Sequence, residues 1–95
     1  MPAVARAGDA GVIHCSAFKI AQGSNNVFVN GRPAARAGDK NTLHKNLGKK
    51  CPPHITAISR GSNSVFVNNK PIARVGDPFA QCTRVAQGSS NVFAG

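Results

Sequence analysis

The sequence predicts an all-β domain of three look-alike hairpin units closed into a ring, and three observations carry that prediction. First, an Arg is followed three residues later by an Asp and five residues after that by a metal-type ligand, as Arg6, Asp9 and His14, then Arg36, Asp39 and His44, then Arg74, Asp77 and Cys82. Second, the block GSNNVF at 23–28 returns as GSNSVF at 61–66 and GSSNVF at 88–93. Third, the chain opens on MPAVAR, the second half of a hairpin, and closes on NVFAG, the first half. Self-similarity of this kind decides an architecture before any local propensity does.

Between the two repeated blocks lies VFVNGRPAAR, where β-prone runs flank Asn30 and Gly31, the pair best able to take the positive φ values of a type I′ turn. VFVNNKPIAR offers Asn68 and Asn69 at the same place. Pro33 and Pro71 lack an amide donor, so their strands are expected at edges or paired on one side. In register, Gly95 falls at the position of Asn30 and Met1 at that of Gly31, so the two ends supply the missing third hairpin. Three equivalent hairpins then close with approximate threefold symmetry, a compact object and not an open array. The units are unevenly spaced: Gly8 to Gly38 is 30 residues and Gly38 to Gly76 is 38, because the middle unit carries an insertion around KNLGKKCPPH.

Ninety-five residues make a single domain, residues 1–95, with little interior. There is no Trp and no Tyr, and the apolar residues are mostly Ala and Val, so a staple beyond core burial is expected. Three Cys cannot all pair, and beside three His they read as metal ligands in preference to a disulfide framework. Neither a secretory signal nor an 18-residue apolar run is present, which implies synthesis as a soluble protein in a cytoplasm. The formal charge is +9, Glu is absent, and all three acids, Asp9, Asp39 and Asp77, belong to the repeat, so they read as turn residues accepting backbone amides beside the repeated Arg.

Three units around an axis bring any repeated position to one height, so His14, His44 and Cys82 are expected to face one another. A tetrahedral zinc ion needs one further ligand on that axis, and His54, in the insertion peculiar to the middle unit, is placed to give it. Cys51 forms a Cys-x-x-His pair with His54 and stays open as an alternative, while Cys15 points away from His14 in an extended segment. Phe28, Phe66 and Phe93 read as core or interface packing. Val27, Val29, Val65 and Val67 put apolar groups on the other strand face, so both faces call for cover and the whole set is a candidate docking surface.

RPAARAGD contains the tetrad Pro33 to Arg36, KPIARVGD and MPAVARAGD are variants of it, and with the Gly-Asp pair, the hairpins and the ligand spacing the whole chain resembles a PAAR-repeat protein. The first tetrad has one extra residue from Pro2 to Arg6. The resemblance implies a small conical β-fold at the tip of a trimeric β-helical spike, VgrG-like or a phage central spike, in a type VI secretion system or contractile phage tail. It also implies one structural zinc ion near the vertex, held by three His and one Cys, which by position are His14, His44, His54 and Cys82.

The function expected is therefore mechanical. One chain caps and sharpens a homotrimer in a one-to-three complex, closes off its exposed strand edges, and narrows to a point that crosses a target envelope when the tail sheath contracts. Lys45, Lys49 and Lys50 near that point would favour an anionic surface. A zinc hydrolase is disfavoured because four protein ligands leave no position for water and no Glu stands as base. A small zinc-stapled nucleic-acid-binding module is the alternative raised by the charge, but no recognition-helix or aromatic basic-sheet pattern is present. The chain has no room for a fused toxin domain, so any cargo would be a separate molecule.

Overall fold

Two tight turns set the local structure. Asn30 and Gly31 have φ of 55° and 76°, and Asn68 and Asn69 have 55° and 64°, the left-handed pairs that a type I′ turn requires. The computed structural model describes residues 1–13, 16–46 and 51–95, with 44–46 and 51–53 described by their backbone. The first turn joins β1 (Phe28–Val29) to β2 (Arg32–Pro33) and the second joins β5 (Phe66–Val67) to β6 (Lys70–Pro71). Phe28 faces Pro33 and Phe66 faces Pro71. Proline offers no N–H, so the ladder resumes one residue later, where Ala34 donates to the Val27 carbonyl at 3.0 Å and Ile72 to that of Val65 at 2.9 Å.

The two ends repeat this pattern without a turn between them. Ala3 bridges Phe93, Val4 N–H donates to Val92 O at 2.9 Å, and Ala94 N–H donates to Pro2 O at 3.1 Å. Ala3 thus takes the register position of Pro33 and Pro71, which makes Ala3 to Arg6 the tetrad of the first unit and leaves Pro2 as its additional residue.

The units pair with one another just beyond the hairpins. Arg6 bridges Ala34, Arg36 bridges Ile72, and Arg74 bridges Val4, the last contact returning to the unit with which the series began. A longer series follows, through Ala10–Lys19, Ile20–Asn41, Lys40–Ala57, Ile58–Phe79, Pro78–Arg84 and Gly11–Val85. These single bridges, with short ladders and no helix among the described residues, make the fold all-β.

The insertion holds a ladder that its loop-like composition did not predict. β3 (His44–Asn46) pairs antiparallel with β4 (Cys51–His54), His44 opposite His54 and Asn46 opposite Cys51, with an irregularity between the two pairs. Pro52 and Pro53 are tolerated because this sheet has only two strands.

The interior is layered, and each repeat contributes to each layer. One cluster joins Val4, Ala34 and Ile72 to Val29, Val67 and Ala94. The next joins Ala5, Ala35 and Ala73 to Ile20, Ile58 and Val85, with Phe18 and Phe79 in edge-to-face contact at 5.3 Å and 72°. The Ala side chains are small because three backbones converge there, and the Gly of each Gly-Ser pair has the same cause. A Cβ on Gly61 would lie 2.5 Å from the Ile72 carbonyl oxygen, and one on Gly88 2.8 Å from that of Val4. The molecule measures 40 × 24 × 21 Å, longer than a sphere of its size.

Candidate metal centre and docking face

Cys82 follows a turn in which Gln81 takes φ 52° and the Cys82 N–H donates to Phe79 O at 3.2 Å. It is partly buried against the cluster containing Phe18 and Phe79. Its Sγ lies 3.5 Å from His54 Nε2. Bonds of about 2.3 Å from sulfur and about 2.0 Å from nitrogen at a tetrahedral angle place the two donor atoms roughly 3.5 Å apart, so this pair fits a shared zinc ion. His44 occupies the ladder position opposite His54. Of the four expected ligand residues, Cys82 and His54 thus lie side by side, and the backbone of a third, His44, pairs with that of His54. His14 and Cys15 lie outside the described residues, as do Lys49 and Lys50. Cys51 sits opposite Asn46, at a different rung from His54.

Each repeated Asp is buried and closes its own turn. Asp39 Oδ2 accepts the Arg36 N–H at 2.8 Å and Arg36 Nε at 3.0 Å, while Oδ1 accepts Arg36 Nη2 at 3.0 Å. Asp9 does the same for Arg6 and Asp77 for Arg74. These hydrogen bonds raise the pKa of Arg6, Arg36 and Arg74, outweighing the burial that lowers it. The acids are therefore structural parts of a turn, and none is free for acid–base chemistry.

The sequence reading assigned no role to Ser24, Ser62 and Ser89, yet all three are buried hubs. Ser24 Oγ accepts the N–H of Asn26 at 3.2 Å and of Val27 at 2.9 Å, then donates to Asn68 Oδ1 at 2.7 Å in the next hairpin turn. Ser89 Oγ binds the N–H groups of Asn91 and Val92 and donates to Asn30 Oδ1 at 2.6 Å. Ser62 Oγ binds those of Ser64 and Val65 and donates to the carbonyl oxygen of Gly95, which stands where the other two junctions use an Asn side chain. The repetition of Ser in all three blocks was the signal.

Beside these hubs the strand faces divide. Val29 and Val67 are 8% and 6% exposed, covered by the chain itself, whereas Phe28, Phe66 and Phe93 are 56%, 56% and 49% exposed. Val27, Val65 and Val92 lie at their margin, more than a third exposed. Val92 completes a triplet that the sequence reading left at two. The expectation that both faces call for outside cover thus narrows to the face carrying the three rings.

These features define a small all-β protein assembled from three repeats, with an apolar rim formed by equivalent residues and a Cys/His corner. The family model described as PAAR motif matches residues 2–42 and again 47–95. The chain belongs to that family, which in general terms comprises spike-tip proteins. No curated protein matches it.

Proposed function

We propose that this chain is the tip of a contractile injection spike, one copy seated on the end of a trimeric β-helical protein. The observation that carries the reading is the closed series of bridges Arg6–Ala34, Arg36–Ile72 and Arg74–Val4 together with three half-exposed Phe residues at equivalent positions. Such a series supports approximate threefold rotation, and a threefold apolar rim suits a partner made of three identical chains. Phe28, Phe66 and Phe93, flanked by Val27, Val65 and Val92, would cover the open strand edges of the trimer. Val29 and Val67 would support them from within.

At the Cys/His corner, His14, His44, His54 and Cys82 would hold one zinc ion. When bound, the ion supplies coordinate bonds between chain segments too narrow to enclose an apolar core. The chain's own contribution there is Cys82 packed against the apolar cluster that contains Phe18 and Phe79, which holds the thiol against the folded interior. The role is mechanical, not catalytic: a closed four-ligand set leaves no position for a substrate. The protein would be carried on the spike of a type VI secretion system or a contractile phage tail, and sheath contraction would drive its narrow end into a target envelope.

Native mass spectrometry of the chain mixed with a candidate spike tests the proposal. One chain and one zinc ion per three spike subunits is the expected result, and Phe66→Asp should abolish the complex while leaving zinc in the free chain. A chain that binds no trimer with its three Phe intact, or that binds with equal affinity after Phe66→Asp, would overturn the docking face.

A further inference from the structure

Where otherwise equivalent junctions differ, one unit has been released from a shared task. At one junction Ala10 N–H donates to Gln87 Oε1 at 3.0 Å, and at the next Lys40 N–H donates to Gln22 Oε1 at 3.0 Å. At the third the donor position is held by Pro78, which has no N–H, and the glutamine position by Arg60. The two changes match: no acceptor is required where the donor has gone. Arg60 is exposed, and neither it nor Arg84 joins any of the four ion pairs found among the described residues.

Arg60 and Arg84 line one groove of about 340 Å³ with Gly76, Pro78, Cys82 and Thr83. The grooves at the other two junctions contain Asp9 beside Arg6 and Arg32, and Asp39 beside Arg36 and Lys70. The Arg60 groove alone among the three has two arginines and no carboxylate in its lining. No side-chain carboxylate of this chain is free to enter it, because all three Asp residues are buried in their own turns.

We propose that this groove binds a carboxylate-bearing segment of a separate protein, one segment per chain. Guanidinium groups match carboxylates in a two-point fork. The site is concave, so an extended acidic segment can enter it and a flat lipid surface cannot. Two exposed arginines would hold a single small anion weakly, whereas a segment sets several carboxylates along the groove within the field of a chain of net charge +9. The site does not depend on the spike reading. It would give a chain of otherwise similar junctions one distinct side, and hence one attachment point for a separate molecule.

The test titrates the purified chain with a labelled oligoglutamate peptide, and in parallel with inorganic phosphate and with phosphatidylglycerol vesicles. The expected result is saturable one-to-one peptide binding, weakened roughly tenfold or more in Arg60→Gln/Arg84→Gln, given the usual strength of charge-assisted hydrogen bonds. The charge-matched Lys19→Gln/Lys70→Gln variant should bind within about twofold of the parent, which separates the groove from general electrostatic attraction. In the unsubstituted chain, the Nε–H resonances of Arg60 and Arg84 should shift before those of Arg6, Arg36 and Arg74, a readout independent of any variant's folding. Equal weakening by both double variants, arginine shifts without that order, or tighter binding of phosphate or vesicles than of peptide would overturn the proposal.

Discussion

The hairpin rim and the Cys/His corner draw on the same three repeats but treat them differently. At the rim the repeats keep identical parts: Ser24, Ser62 and Ser89 make the same two amide contacts, and Phe28, Phe66 and Phe93 are exposed to similar extents. Toward the corner they diverge. The residue two after each Asp is Gly11, Asn41 or Phe79, and its cross-strand companion is Phe18, Thr56 or Thr83. Gly11 leaves room for the Phe18 ring, which a Cβ would meet at 2.2 Å. Asn41 hydrogen-bonds Thr56 through both amide atoms, at 3.1 and 2.9 Å. Phe79 fills the space itself and touches Phe18. Identity is kept where three equivalent faces point outward, and lost where one interior space must be shared among three repeats.

The largest effect expected from breaking this division is at the corner. Structural zinc contributes roughly 10–16 kcal/mol in small zinc-folded peptides, so if the corner holds zinc as proposed, a chelator, or Cys82→Ser, should abolish exchange protection of the backbone amides at 44–46, 51 and 54. The N–H groups of Ala34 and Ile72 should stay protected, as exchange measured by mass spectrometry will report. Simultaneous loss at both places would mean that the two regions are one cooperative unit.

Next in size is Asp39→Ala. It removes the buried partner of Arg36 and should cost about 3–5 kcal/mol in urea denaturation. Arg32→Ala, which removes a half-exposed second partner of Asp9, should cost under about 1 kcal/mol.

Gly11→Ala forces a methyl group into the Phe18 ring and should cost about 1–3 kcal/mol. Gly11→Asn with Phe18→Thr copies the middle unit, and part of the loss should return if each residue pair is an exchangeable part. Ser24→Ala, Ser62→Ala and Ser89→Ala should each cost about 1–3 kcal/mol through stranded amides. The three losses should agree within about 0.5 kcal/mol, as expected for separate equivalent sites. Unequal losses would show that the rim is not uniform.

The smallest effect is a null one. The raised pKa of Arg6, Arg36 and Arg74 means that their contribution is whole below the ordinary arginine value and is lost only as pH climbs through the higher folded value. Raising the pH from about 8 to about 11 should therefore leave these three turns intact, as the Nε–H···carboxylate resonances can report.

Much of this was legible in the chain because turn chemistry is local. Asn30-Gly31 specified its turn, and the register of MPAVAR and NVFAG specified the pairing of the ends. The closeness of Cys82 to His54, 28 residues apart, followed from the repeat position of Cys82 together with the single axial ligand expected from the insertion. Burial was less legible: Val29 and Phe28 are both apolar, and only the packing of Val4, Ala34, Ile72 and Ala94 over one face decides which is inside. The hydroxyl of Ser24 gave no local sign of its role either, because its acceptor, Asn68, belongs to another hairpin. The β3–β4 ladder was hidden by Pro52 and Pro53, which oppose strand propensity but not a two-stranded edge.

Gly95 accepts a hydrogen bond from Ser62 where Asn30 and Asn68 serve the other junctions, and the place of its missing Cβ is 3.5 Å from Met1 Sδ. Residues 1 and 95 therefore meet as the two sides of an open turn. Joining residue 95 to residue 1 and opening the backbone at 30–31 or 68–69 would keep every bridge between repeats, so the order of the repeats along the backbone is separable from their order in space.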